Sequence, residues 1–154
     1  MNKRKLFSEF KEELLKKENI KIISTISETG YPSVAFRNCL FINSEDELIL
    51  LEPIETSINN KNLTYSIWFD KKVEVALWTP RGYGLLAYVV IKREIIAGKE
   101  FEKYYKLYLD VYKGNDLAAV WVMEVKNIAK ISERIEILQE RQKYPGIGHL
   151  DRFI

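Results

Sequence analysis

The side chains that most often carry out acid–base, nucleophilic or metal chemistry are scarce in this chain. It contains one cysteine, Cys39, and one histidine, His149. A structural zinc site needs four Cys or His ligands, so we predict no metal site. A Ser-His-Asp or Cys-His centre would have to use His149, which lies near the C-terminal end, where a rigid catalytic base is not expected. We therefore predict no catalytic side chain, and an enzyme built on this chain would take its chemistry from a bound cofactor.

Other residues have side chains that suit ligand binding. Arg81 lies in the loop 79–82 and could reach an anionic group over a ligand, although we favour a plain connection between two strands for this loop. The tyrosines between residues 104 and 112 recur at helical spacing, which favours core or dimer packing over stacking on a planar cofactor. For Cys39 we favour a buried, inert thiol over a redox role, because no sequence neighbour clearly lowers its pKa.

The composition indicates one globular domain. The chain has 154 residues, of which 47% are hydrophobic and 30% charged, enough for one core without disulfides or metal. The net charge of +2 argues against nucleic acid or an acidic membrane surface as a partner, and against an oligonucleotide-binding barrel, which the aromatic content would otherwise suit. A lone cysteine suits a reducing cytoplasm, and we expect no signal peptide or membrane span.

Hydrophobic periodicity predicts the order of the elements. Apolar residues at three- and four-residue spacing predict helices over 5–18, 55–68, 100–112 and 128–142. β-Branched and alternating residues predict strands over 20–27, 33–42, 48–51, 73–78, 83–95 and 117–125. We therefore predict a mainly β, single-domain protein over 1–154. Its six-stranded antiparallel barrel, closed or nearly closed, covers about 20–125, with peripheral helices and a C-terminal helix and tail over 128–154.

Four segments, in this order, resemble the motifs of a known family. They are residues 22–32 (IISTISETGYP), 34–41 (VAFRNCLF), 46–51 (DELILL) and 68–77 (WFDKKVEVAL). They are similar to the patterns a-T-x-x-x-d-G-x-P, x-x-x-R-P-v-x-f, d-g-x-L-y-f and x-x-N-P-x-V-x-l of the pyridoxamine 5′-phosphate oxidase-like, FMN-binding split β-barrel proteins. The resemblance covers about residues 5–125.

This resemblance implies a six-stranded antiparallel split barrel that forms a homodimer, with FMN held in grooves between the two subunits. It also implies that backbone groups of Arg37, Asn38 and Cys39 hydrogen-bond the flavin ring. Arg37 stands at the position of the motif arginine, and its guanidinium fork suits a flavin or phosphate contact. The alternative for Arg37 is an exposed strand arginine paired with a glutamate.

The chain departs from the family pattern around the expected phosphate site. The family has Thr at the end of the third strand, followed by a Ser/Thr-x-Lys group, whereas here Glu52 and Glu55 follow that strand. Carboxylates near a phosphate oppose its binding unless they point away. Lys61 is out of register with the family's lysine. Thr56 and Ser57, at the start of the predicted helix, could hold an anion through backbone N–H groups, or could only cap the helix.

Two hypotheses of function follow from the resemblance and its departures. In the first, the chain is a cytoplasmic FMN-binding oxidoreductase-like protein that passes electrons or hydride to a small-molecule substrate. In the second, it is a non-catalytic binding or sensor protein of the same fold that has lost the flavin, or that binds haem through His149, as some split-barrel relatives do through a C-terminal histidine. The cofactor-binding candidates are Arg37, Asn38, Cys39, Thr56, Ser57, Lys61 and Arg81.

Overall fold

The computed structural model describes residues 2–146 and 148–153. The strands within this part are β1 (Ile20–Ile26), β2 (Pro32–Phe36), β3 (Leu40–Ile42), β4 (Leu48–Glu52), β5 (Val73–Trp78), β6 (Gly84–Ile95) and β7 (Ala119–Ile131). The helices are α1 (Lys3–Leu14), α2 (Ile58–Phe69), α3 (Gly98–Val111) and α4 (Glu133–Lys143), followed by a 3₁₀ turn over Leu150–Phe153. None of these helices is long and apolar enough to cross a bilayer.

All seven strands form one antiparallel sheet in the order β2-β1-β5-β6-β7-β4-β3. Strands β2 and β3 follow each other in the chain, yet they lie at opposite ends of this order. The three residues Arg37–Cys39 therefore connect the two ends of the sheet. The Arg37 N–H donates to Lys21 C=O on β1 (3.1 Å), and the Leu51 N–H on β4 donates to Cys39 C=O (3.0 Å). The sheet thus curls into a split barrel that is open at this segment.

The structure differs from the predicted fold in two respects, the barrel and the start of the last helix. The sheet has seven strands instead of six and is not closed, because the strand predicted over 33–42 is broken at Arg37–Cys39. The helix predicted over 128–142 is also wrong at its start, since Ile128 and Ile131 belong to β7. They pair there with Ala87 and Gly84 of β6, and this cross-strand pairing outweighs the helical spacing of the apolar residues.

The ends of the helices at the two termini are set by side-chain caps. The helix predicted over 5–18 spans Lys3–Leu14, and the Asn19 amide donates to Glu13 C=O (2.8 Å) just beyond its last turn. Helix α4 begins after Ser132, whose hydroxyl accepts the Ile135 N–H (3.1 Å). The Ser132 hydroxyl thus satisfies a backbone N–H that the start of a helix leaves without a partner, and Asn19 adds a second hydrogen bond to the Glu13 C=O, which also accepts the Lys16 N–H (3.2 Å).

The core has two layers, one on each side of β4. Leu48 and Leu50 face the barrel interior, where they join Phe10, Ile23 and Trp121. The alternate residues of β4 face a second cluster that α3 covers. This cluster contains Ile49, Leu51, Val120, Val122, Tyr104 and Tyr108. Strand β4 is therefore buried on both faces. Tyr104 and Tyr108 of α3 serve as core residues, as the packing interpretation expects, whereas Tyr105 is only partly buried.

Candidate functional site

Arg37, Glu52 and Asn59 form a buried polar cluster where β4 meets the start of α2, and we call it the Arg37 cluster. The Glu52 carboxylate is completely buried and accepts hydrogen bonds from Arg37 Nε (2.9 Å) and Asn59 Nδ2 (2.8 Å). Its other oxygen accepts the backbone N–H of Ile54 (3.1 Å). A buried carboxylate is tolerated when a cation and further donors compensate its charge, as these three donors do.

Three elements bring these side chains together. Glu52 continues the inward face of β4 after Leu48 and Leu50, so its carboxylate points into the end of the barrel. The connection that follows β2 brings Arg37 to the same place, and Arg37 is also held by its Nη1 bond to Phe36 C=O (2.8 Å). The first turn of α2 supplies Asn59. Arg37 is thus paired with a glutamate, as one sequence interpretation proposed, although the pair lies inside the protein.

The Glu52 carboxylate opposes a bound phosphate at this cluster. Arg37 Nε, Asn59 Nδ2 and the Ile54 N–H donate to the carboxylate, and a phosphate beside it would meet charge repulsion in a site of low dielectric. Among the described residues, the one buried side-chain polar atom without a partner is Asn59 Oδ1, which is a hydrogen-bond acceptor. An anion offers no proton to such an atom, whereas a water or a neutral N–H or O–H group does.

The remaining phosphate candidates, Thr56, Ser57 and Lys61, lie at the start of α2. Ser57 is the N-cap of the helix, and its hydroxyl accepts the Asn60 N–H (2.9 Å). The Ser57 C=O also accepts the Lys61 N–H (3.1 Å). Thr56 and the Lys61 side chain are exposed. The helix-capping interpretation of Ser57 is therefore confirmed.

Arg81 makes its contacts with α1 instead. Its guanidinium pairs with the buried carboxylate of Glu13 and donates to the Tyr83 hydroxyl (2.8 Å). Glu13 also accepts hydrogen bonds from Lys16 Nζ (2.7 Å) and Asn19 Nδ2 (2.7 Å). Burial alone would raise the pKa of the Glu13 carboxyl, but these three donors outweigh it and lower the pKa to about 2. Arg81 thus fastens the β5–β6 loop to α1.

Asn38 and Cys39 line a cleft on the other side of the barrel opening, between the end of α1 and α3. This α1–α3 cleft has a volume of about 610 Å³. Within the described residues, neither the N–H nor the C=O of Asn38 has a hydrogen-bond partner, so both can meet a ligand. Burial raises the pKa of the Cys39 thiol, despite the Tyr112 hydroxyl and Lys21 acting in the opposite direction. The thiol is therefore protonated at neutral pH, which favours the inert interpretation.

Sequence reasoning missed two residues of this region, Asn59 and Lys21. Asn59 carries no recognisable signal, because an asparagine in the first turn of a helix is common. Lys21 does carry one, since it shares the inward face of β1 with Ile23 and Thr25 in the alternating pattern of that strand. A lysine at an inward position of a strand is unusual and indicates a special environment.

The chain was compared with known proteins at the levels of sequence and structure. No family model and no curated protein sequence matches it. Solved structures do match: an FMN-binding protein from Syntrophomonas wolfei subsp. wolfei has a TM-score of 0.67 and 17% identity over 84% of this chain and 88% of that chain. The HupZ protein of Group A Streptococcus has a TM-score of 0.64 and 15% identity over 81% and 94% of the two chains. A candidate pyridoxamine 5′-phosphate oxidase from Lactobacillus delbrueckii has a TM-score of 0.58 and 16% identity over 79% and 91%.

These similarities establish the fold. The chain has the pyridoxamine 5′-phosphate oxidase-like split-barrel fold, which confirms the resemblance seen in its motifs. At such identities the likeness does not carry a function, because one fold supports many unrelated sites.

Proposed function

We propose that this chain is a non-catalytic, small-molecule-binding protein of the split-barrel fold, in which Glu52 has replaced the phosphate group of a flavin. The observation that supports the proposal is the complete burial of the Glu52 carboxylate among donors that would otherwise face an anion. Glu52 is covalently attached and competes with any phosphate at an effective concentration that a free ligand does not reach.

The titratable groups Cys39 and Glu13 have the surroundings of structural residues. The thiol of Cys39 is protonated, and the Glu13 carboxylate is occupied by structural contacts. The free Cys39 thiol also favours a reducing compartment such as the cytoplasm.

A comparison of FMN with riboflavin tests the proposal, since the two differ only in the phosphate. We expect the purified protein to be colourless, and FMN to bind no more tightly than riboflavin in a fluorescence titration. If FMN bound at least about tenfold more tightly, its phosphate would contribute about 1.4 kcal/mol and the proposal would be wrong. A yellow protein that releases FMN would also overturn it.

The second candidate function is an FMN-dependent oxidoreductase that binds the flavin mainly through its ring. The unpartnered backbone groups of Asn38 favour it, because they lie at the opening of the barrel where the family resemblance implies a flavin ring. The phosphate would then need donors outside the Arg37 cluster. In the titration above, this candidate predicts tight binding of both FMN and riboflavin.

The haem alternative has less structural support. His149 lies in the exposed segment before the final 3₁₀ turn. It lines neither the α1–α3 cleft nor a second cleft of about 530 Å³ between α1 and β7. Addition of haem, followed by absorption spectroscopy of the wild type and His149→Ala, would favour haem binding only if a haem band formed and depended on His149.

We also propose that the chain forms a homodimer through the outer face of β1, β2 and β5. Paired residues of neighbouring strands point to the same side, and the pairs Ile22–Phe36 and Ile20–Trp78 lie on the face opposite to the core. Phe36 is 70% exposed and the adjacent Val34 is 57% exposed. An apolar patch of this kind on an edge strand is typical of an interface.

Size-exclusion chromatography with light scattering tests this dimer. We expect the wild type to elute as a dimer and Phe36→Asp as a monomer, because the carboxylate would be buried without a partner at the interface. The matched control is Ile96→Asp, which changes an exposed isoleucine beyond the end of β6 and should leave the dimer intact. A monomeric wild type would contradict the proposal.

A further inference from the structure

The α1–α3 cleft has the size and walls of a small-molecule site. Its volume of about 610 Å³ lies within the range of such sites, roughly 300–1,000 Å³. Apolar side chains from three elements form its walls. They are Leu14 and Leu15 at the end of α1, Leu40, Phe41 and Leu51 from β3 and β4, and Leu107 and Val111 from α3. Leu15, Leu107 and Val111 are exposed at its rim, so the cleft offers an apolar surface to a ligand from solvent.

One buried cation faces this apolar cleft. Lys21 lines it, and only 7% of the residue is exposed. Its ammonium group donates to Lys16 C=O (3.1 Å), while two of its three N–H donors have no acceptor among the described residues. Within the same part of the chain, no carboxylate lies within 4.0 Å of Lys21 Nζ. A buried ammonium group with spare donors and no ion-pair partner is costly to maintain.

The charged side chains that line the cleft are all cationic. They are the two lysines Lys17 and Lys21, and no Asp or Glu lines the cleft. Burial lowers the pKa of Lys21, and Glu18, which lies beyond ion-pair distance, opposes this effect only in part. A carboxylate supplied by a ligand would give Lys21 the partner that the chain does not, and the apolar walls would accept the remainder of the ligand.

We propose that the α1–α3 cleft binds a small organic monoanion with an apolar body, whose carboxylate accepts hydrogen bonds from Lys21 and whose body packs against Leu107, Val111 and Phe41. A single buried ammonium matches a single negative charge. The inference rests on the proposed role as a small-molecule-binding protein and names the place and class of ligand. It uses no residue of the Arg37 cluster.

Decanoate and 1-decanol are suitable probes, because they share an alkyl chain and differ in the charged head group. We expect titration calorimetry to show decanoate binding at least about tenfold more tightly than decanol, and Lys21→Met to remove this difference. Methionine keeps the length and packing of the lysine side chain while removing its charge. The matched control is Lys113→Met, which changes an exposed lysine outside the cleft and should bind decanoate like the wild type.

A second variant keeps the inference testable if Lys21→Met does not fold. Leu107 is 45% exposed at the rim, so Leu107→Glu should fold and should weaken decanoate binding by repulsion. Equal binding of decanoate and decanol, or unchanged decanoate binding by Lys21→Met, would overturn the inference. Such a failure would leave the comparison of FMN with riboflavin untouched, because that experiment reports on the Arg37 cluster.

Discussion

We expect replacement of Glu52 by alanine to lower the free energy of unfolding by about 3 kcal/mol. The substitution leaves Arg37 without its counter-charge, and it removes the carboxylate that accepts hydrogen bonds from Asn59 and the Ile54 N–H. Urea unfolding measures this change. The matched control is Glu55→Ala, which removes an exposed carboxylate three residues away and should change stability by no more than about 0.5 kcal/mol.

The same variant distinguishes a structural ion pair from a carboxylate that takes the place of an anion. In Glu52→Ala, the freed donors form a site for an external anion. We therefore expect inorganic phosphate, relative to chloride at equal ionic strength, to raise the Tm of Glu52→Ala by more than the general stabilisation that phosphate gives the wild type. An equal rise in both proteins would reflect only this general effect, and would contradict the role of Glu52 in place of an anion.

Glu13 makes the stability of the wild type depend strongly on pH in the acidic range. Its pKa is about 2 in the folded protein and has an ordinary value of 4.5 in an unfolded chain. The folded state thus binds the proton less readily, and the stability from the ionised carboxylate is fully present above about pH 5. It is lost as the pH falls from 4.5 towards 2. The difference in pKa corresponds to about 3 kcal/mol.

Glu13→Gln isolates this contribution. We expect it to be less stable than the wild type at pH 7, with a difference that shrinks as the pH approaches 2. Urea unfolding over this pH range measures the effect. Glu124→Gln is the control, because Glu124 also has a pKa of about 2 but pairs with Lys92 and Lys126 at the surface, where solvent screens the interaction. A constant difference between wild type and Glu13→Gln at all pH values would disprove the role of ionisation.

The order of elements was predictable because local patterns are strong in most of this chain. Strands β1, β5 and β6 combine β-branched residues with alternation, and α2 follows a clear cap at Ser57. The end of β7 was not predictable in the same way. Ile128 and Ile131 have helical spacing, and only the distant partner strand β6 makes that segment extended.

The sequence also could not show whether the Glu52 side chain points into the barrel or to solvent. Alternation tells which residues of a strand face inwards, but the preceding residues 48–51 are all apolar and give no period. The sequence therefore placed a carboxylate near a possible anion site without deciding whether it points to solvent or to Arg37. The break at Arg37–Cys39 settles this, because it carries Arg37 to the inner face beside β4.

The pairing of β4 with the distant strand β7 has a consequence for the order of folding during synthesis. Strand β4 pairs with β3, which is nearby in the chain, and with β7, which is made much later. Until residues 119–131 leave the ribosome, one side of the apolar strand β4 has no partner and its unpaired edge invites association with other chains. We expect the barrel to assemble only after β7 has been made, so shortened chains that end before β7 should aggregate.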